Sequence, residues 1–174
     1  MQPAPAPPSA VWQGAEGTFL EVASSKRIEA PELKVLFAYW LGKSRNRIGP
    51  SRSEIELKDI PTLLPSIHLY DVQEDGRAFL VRVLGTQIVA ALGCDPTGRV
   101  LTVGDREPIF ARPFACLTAT YKYRRPLRAT AERAAARERS FLSSETLSLP
   151  LSDNEESINK ILLCTIYKQP RSLL

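Results

Sequence analysis

The pattern of apolar and polar positions predicts a long helix followed by a β-hairpin. In "APELKVLFAYWLGKSRNR" the apolar side chains recur at helical spacing, at Leu33, Leu36, Phe37, Trp40 and Leu41. The runs "SIHLYDV" and "AFLVRVLG" read as two strands, and Asp75-Gly76 between them is a strong hairpin turn. Both faces of this hairpin carry apolar side chains, so we expect both to be covered, one of them by the Trp40 helix or by a partner chain.

Further along, the pattern alternates between short helices and extended segments. "GTQIVAALG" predicts a brief helix between glycine turns, and Phe110, Phe114, Leu117 and Tyr121 fall at helical spacing. Three extended candidates follow, near 127–134, 139–151 and 157–168. This order predicts an α+β fold, with a five-stranded antiparallel sheet, helices on one face and an additional N-terminal helix.

Length and composition are consistent with one globular domain. The chain has 174 residues, and the proline-rich start predicts a flexible tail and lead-in at 1–29 before a domain at 30–168 and a short tail at 169–174. No apolar run approaches the roughly 20 residues of a membrane helix, and the N-terminus has no secretory pattern. Three cysteines without CxxC spacing suggest buried free thiols. We therefore expect a cytoplasmic protein.

The basic residues are concentrated in one region of the sequence. Between 121 and 139 there are seven Lys and Arg residues against Glu132 and Glu138. Two interpretations stay open: an ordinary solvated surface, or a patch for an acidic partner, a nucleotide messenger or nucleic acid centred on Arg124, Arg125 and Arg128. Nucleic acid is not expected, because no recognised nucleic-acid motif accompanies the charge.

The chain carries no motif of a known catalytic or metal site. GxSxG, HExxH, GxGxxG and the P-loop are absent, and His68 is the single histidine. We predict no catalytic residues, no metal ligands and no enzyme activity.

Several of these segments together resemble a PAS domain, and more specifically a family of small bacterial single-domain PAS proteins with a leading N-terminal helix. The resemblance covers about 30–168. It is carried by Trp40, by "IGPSRSEIELKDIPTLLPSIHLYDV" and "FLVRVLGTQI", by the Asp95–Gly98 turn, and by "LSLPLSDNEESINKIL". It implies a sensory or regulatory module that acts through a small ligand, through dimerisation, or through both. It also implies a homodimer and a signalling-protein partner.

The same resemblance brings haem and flavin into consideration, and neither is predicted here. Haem-binding PAS domains usually supply histidine from the helical side, whereas His68 lies on the first predicted hairpin strand. Light-sensing flavin PAS domains surround their cysteine with Asn, Arg and Gln, which are missing beside Cys94. We therefore expect no cofactor.

Two groups of residues are candidates for binding. A small, mostly apolar cavity would be lined by Leu69, Val81, Val83, Ile88, Leu92, Leu101, Phe110, Phe114, Leu117 and Leu149. The alternative is that these side chains simply fill the core, as apolar residues at such spacing usually do. A dimer face is predicted on the first helix, at Leu33, Phe37, Trp40 and Leu41.

Overall fold

The computed structural model describes residues 12–14, 18–132 and 143–168. Three α-helices are present in these segments: α1 at Pro31–Ser44, α2 at Thr86–Leu92 and α3 at Pro108–Tyr123. The strands are β1 at Trp12–Gly14, β2 at Thr18–Val22, β3 at Ile67–Gln73, β4 at Ala78–Leu84, β5 at Val100–Thr102, β6 at Leu127–Ala131, β7 at Ser143–Leu151 and β8 at Lys160–Lys168. Short 3-10 turns connect α1 to β3.

The strands of the described segments form one antiparallel sheet in the order β1-β2-β6-β7-β8-β3-β4-β5. The predicted α+β fold is confirmed. The five predicted strands correspond to β3, β4, β6, β7 and β8, and the sheet is extended by the short strands β1, β2 and β5. Residues 12–14, which the sequence assigns to a flexible tail, pair with β2 instead.

Helix α1 covers one side of this sheet, which we call the α1 face. Pro31 occupies the first turn, where its missing N–H costs no hydrogen bond. The apolar stripe of the helix is buried against odd-numbered residues of β7, among them Leu147 and Leu149. The Trp40 indole N–H donates to the Pro150 carbonyl oxygen at 3.0 Å, which ties the helix to the end of β7. The expectation that the Trp40 helix covers one hairpin face is met only for β3, since Ile67 and Leu69 share the core cluster of α1, whereas Val83 of β4 is 47% exposed.

Helices α2 and α3 cover the opposite side, the α3 face. Phe110 and Leu117 of α3 pack against Phe79 and Val81 of β4. Helix α2 begins directly after Gly85. The Gly85 backbone lies against the 3-10 turn Pro61–Ser66, which precedes β3, and a Cβ at this position would meet the Pro65 carbonyl oxygen at 2.3 Å. Helix α2 ends at Gly93 in the left-handed conformation, with φ of 76°.

A β-bulge in the hairpin changes which side chains share a face. Leu69 pairs with Val83, but Tyr70 pairs with Val81, so the register shifts between Leu69 and Tyr70. As a result Leu69 lies on the α1 face and Val81 on the α3 face. The predicted cavity lining includes both Leu69 and Val81, which would share a face if neither strand had a bulge, and this prediction is wrong.

Candidate ligand site

A group of buried polar side chains lies on the α3 face, where β3, β7 and β8 run side by side. The His68 ring is central: its Nδ1 lies 3.2 Å from the Tyr70 hydroxyl, and its Nε2 lies 3.1 Å from the Thr165 hydroxyl. Thr165 in turn lies 2.8 Å from the hydroxyl of Thr146. We call these four residues the polar cluster; all are buried. Together they form a continuous hydrogen-bonded chain across three strands.

A cavity of about 40 Å³ adjoins this cluster, between α2, α3 and the sheet. Its lining combines hydroxyl, imidazole, thiol and guanidinium groups with apolar walls, from His68, Ala91, Leu92, Ile109, Arg112, Pro113, Cys116, Ser144, Thr146, Leu163, Thr165 and Tyr167. A space of this size exceeds the roughly 10–15 Å³ that one water molecule needs. The cavity can therefore hold a molecule of a few non-hydrogen atoms.

Burial keeps three titratable groups in or beside the cavity wall neutral, those of His68, Tyr70 and Cys116. Desolvation lowers the pKa of His68 to about 3, so its imidazole is uncharged at physiological pH and offers one donor and one acceptor. Desolvation also raises the pKa of Tyr70 well above its usual range, and raises the pKa of Cys116 to about 12. The Cys116 thiol is therefore protonated and is not a nucleophile.

The predicted cavity residues are divided between the two sides of the sheet. Leu69 and Leu149 belong to the α1 face, and Val83 is 47% exposed. Val81, Leu101, Phe110 and Leu117 belong to the core of the α3 face, with Phe114 packed against it, and Ile88 is buried on α2. Phe110 and Phe114 also border the larger space described below. Leu92 alone of the predicted set lines the small cavity. Most of the surface exposed to this space is apolar, which agrees with the lining expected from the sequence, and the polar cluster forms part of one wall.

Sequence reasoning missed the polar side chains that line this cavity. Ser144 and Thr146 alternate with Glu145 in "SSETLSLP", and Thr165 lies in the otherwise apolar run "ILLCTIY". In a strand, such alternation places the hydroxyls on one side of the sheet. This was the available signal, since three buried strands with polar side chains on one face require a partner for every hydroxyl.

The face predicted for dimerisation is occupied within the chain. Leu33, Phe37 and Trp40 are buried against the sheet, with exposures of 0, 6 and 3%. Of the four residues, Leu41 is the exposed one, at 48%. The predicted set therefore does not form a surface. The physical reason is that the sheet of the same chain, rather than a second copy, satisfies the apolar stripe of α1.

The predicted basic patch is also divided by the fold. Arg128 is buried in an ion-pair network, with its Nε 2.6 Å from Glu145 and its two terminal nitrogens at 2.8 Å from Glu21 and 3.1 Å from Glu29. The Arg124 guanidinium donates to the Glu156 carbonyl oxygen at 2.6 Å, whereas Arg125 is exposed. The three arginines do not form one anion site. Of the other four basic residues, Lys122 is exposed on α3, and those at 133–139 lie outside the described residues.

A second, larger space runs along the outer side of α3. This groove has a volume of about 480 Å³ and is bordered by Leu20, Val103, Phe110, Phe114 and Tyr123, together with small and polar residues of the helix. Val103 at its edge is 87% exposed. It is separate from the polar cluster, which lies on the inner side of α3.

Metal sites and membrane-spanning helices are both absent from 12–14, 18–132 and 143–168. Nowhere in these segments do three or more His, Cys, Asp or Glu side chains converge as metal ligands would. None of the helices in the same segments combines the length and the apolarity needed to cross a membrane. Cys94 is exposed, while Cys116 and Cys164 are buried free thiols.

Comparison with known proteins identifies the family. A PAS domain family model matches residues 28–165, and the chain belongs to that family, whose members are in general sensory signalling modules. Among solved structures, it is similar to a sensory box sensor histidine kinase from Vibrio cholerae, with 13% identity, a TM-score of 0.44 and coverage of 66% of this chain and 90% of that chain. A sensory box histidine kinase/response regulator from Burkholderia thailandensis E264 gives 15% identity and a TM-score of 0.39, over 66% of this chain and 86% of that chain. No curated protein matches the chain.

Proposed function

We propose that this PAS domain is a non-catalytic sensory module that binds a small polar molecule in the cavity beside the polar cluster. The observation that carries the proposal is the juxtaposition of a space of about 40 Å³ with the buried His68, Thr146 and Thr165. These side chains already hydrogen-bond to one another, but each hydroxyl oxygen can accept a further hydrogen bond, which favours an occupant that carries a donor group.

The size of the cavity narrows the class of ligand. Drug-sized ligands and organic cofactors occupy roughly 300–1,000 Å³, several times the space between α2, α3 and the sheet. A molecule of a few non-hydrogen atoms matches the volume. Because His68 is neutral, it adds no charge to the wall, and the hydroxyls of Ser144, Thr146 and Thr165 are the groups that can hydrogen-bond to an occupant. Homodimerisation, a signalling-protein partner and a cytoplasmic location stay predictions.

The proposal is tested by combining native mass spectrometry with an NMR titration. The mass spectrum of the gently purified protein reports any retained small molecule. Acetamide, acetate and ethanol are then added separately while the backbone amide shifts of His68, Thr146 and Thr165 are followed. We expect at least one of these probes to move the three resonances in a saturable way.

A matched pair of variants localises the binding. Thr146→Val removes a cavity hydroxyl at constant shape, and Thr118→Val makes the same change at an exposed position in the outer groove of α3. We expect Thr146→Val to abolish the titration and Thr118→Val to leave it unchanged. A mass equal to that of the bare chain, together with no response to any of the three probes, would contradict the proposal.

A further inference from the structure

The N-terminal end of α1 is held to the sheet by a single buried carboxylate. Glu145 of β7 accepts hydrogen bonds from the backbone N–H groups of Glu29, at 2.8 Å, and Ala30, at 2.7 Å. These are the two residues directly before the first residue of α1, Pro31. Arg128 donates to the same carboxylate at 2.6 Å. We call this arrangement the Glu145 anchor.

The anchor and the cavity are built on the same three residues of one strand. Ser144 and Thr146 line the cavity on the α3 face, while Glu145 between them points to the α1 face. Successive residues of a strand are about 3.3 Å apart and alternate in direction, so the cavity wall and the anchor share one stretch of backbone. A displacement of that backbone would therefore move both the cavity wall and the Glu145 carboxylate.

The anchor is sensitive to small displacements. The Glu145 side chain is 2% exposed, so water does not replace a hydrogen-bond donor that the carboxylate loses. Charge-assisted hydrogen bonds weaken steeply with distance and angle, and a buried ion pair is favourable only when its geometry is good. The close-packed interior around β7 transmits a change in volume rather than absorbing it.

We propose that occupancy of the cavity controls how firmly the Glu145 anchor holds the N-terminal end of α1. This inference rests on the proposed function, since it takes the cavity to be the sensory site. Through β7, the state of the cavity on the α3 face is converted into the strength of attachment of α1 on the opposite face. The segment 23–30 and the start of α1 are then the part of the domain that reports the signal.

The inference is tested without a ligand, by filling the cavity from the side opposite β7. Ala91 of α2 lines the cavity and is buried, whereas its neighbour Ala90 is exposed. Ala91→Leu inserts three carbon atoms into the space and leaves β7 unchanged, and Ala90→Leu makes the same change on the solvent side. Hydrogen exchange of the Glu29 and Ala30 amides is measured by NMR in both variants.

We expect Ala91→Leu to accelerate exchange of both amides at least about fivefold, the lower end of typical coupling between sites, and Ala90→Leu to leave it within a factor of about two. If Ala91→Leu does not fold, Ala91→Val makes the same test with a smaller side chain. The inference is overturned if the filled variant shifts the amides of His68 and Thr165 while Glu29 and Ala30 exchange as in the wild type. Failure of the small-molecule titration would instead refute the proposed function and leave this measurement intact.

Discussion

The two faces of the sheet are built from alternate residues of the same strands but differ in chemistry. On the α1 face, residues such as Leu147, Leu149 and Leu162 form a continuous apolar layer under the helix. On the α3 face, next to the cavity, their immediate neighbours include Thr146 and Leu163, and the layer is broken by hydroxyls and an imidazole. The comparison shows that both sides of the sheet carry an apolar core, and that on the α3 face this core is interrupted by hydrogen-bonded polar side chains beside a small cavity.

The largest expected effect on stability comes from replacing either of two neighbouring leucines of β8, whose side chains face opposite sides of the sheet. Leu162→Ala on the α1 face should lower the free energy of unfolding by about 4 kcal/mol, because the surrounding apolar layer cannot collapse into the void. Leu163→Ala on the α3 face should cost about 2 kcal/mol, because its void merges with an existing polar cavity that water can enter. Urea denaturation of both variants measures the difference. Equal costs would remove the distinction between the faces.

The next effect concerns the charged edge of the α1 face. Arg128→Met keeps the length of the side chain but leaves the Glu145 carboxylate without its guanidinium, and should cost about 3 kcal/mol. Arg125→Met, three residues away and exposed, should change stability by less than about 0.5 kcal/mol. Both are compared in the same denaturant titration. If the two substitutions cost the same, the ion-pair network is not structural.

A smaller effect should appear as a dependence of stability on pH. The folded pKa of His68 is about 3, below the ordinary value of 6.5, so the unfolded chain binds a proton first as the pH falls. The contribution of neutral His68 to the free energy of unfolding is complete above pH 6.5 and is lost progressively as the pH falls toward 3. Since His68 is the single histidine of the chain, stability should fall by about 2 kcal/mol between about pH 7.5 and pH 5.

The matched variant for this pH dependence is His68→Gln, which retains hydrogen-bonding groups without a titrating ring. We expect most of the loss of stability between these two pH values to disappear in it. An unchanged pH dependence in His68→Gln would show that other groups are responsible, and that the polar cluster does not hold a neutral histidine.

The smallest effect concerns a buried polar pair on the α3 face that lies away from the cavity. The Thr120 and Ser148 hydroxyls are 2.7 Å apart. Thr120→Val leaves Ser148 without this partner and should cost about 1 kcal/mol, whereas adding Ser148→Ala should recover much of that loss. Additive costs in the double variant would indicate that the two hydroxyls do not depend on each other.

The elements of the fold could be predicted because each has a strong local pattern. The stripe from Leu33 to Trp40 indicated α1 and its burial, and Asp75-Gly76 indicated the hairpin of β3 and β4. The order of the segments was enough to place β6, although its sequence favours a helix. In that segment the pairing with β2 and β7 outweighs local propensity.

The site could be predicted only in part, because it depends on register and on long-range contacts. The bulge between Leu69 and Tyr70 has no distinct sequence signature, and it moved Leu69 to the α1 face, away from Val81 on the α3 face. Arg128 is recognisable as a basic residue, but its partners Glu21 and Glu145 lie far from it in sequence. The hydroxyls of Thr146 and Thr165 can be recognised as hydrogen-bond partners only when the register of β7 and β8 is known.

The central claim is that the α3 face encloses a polar site that is shielded from solvent, with His68 neutral at its centre. The most direct test is an NMR titration of the His68 ring, following its carbon and nitrogen shifts as the pH is lowered. The account predicts no protonation down to about pH 4, with one ring nitrogen carrying hydrogen throughout. A midpoint near the ordinary value of about 6.5 would show that the ring is solvated, and would contradict the account.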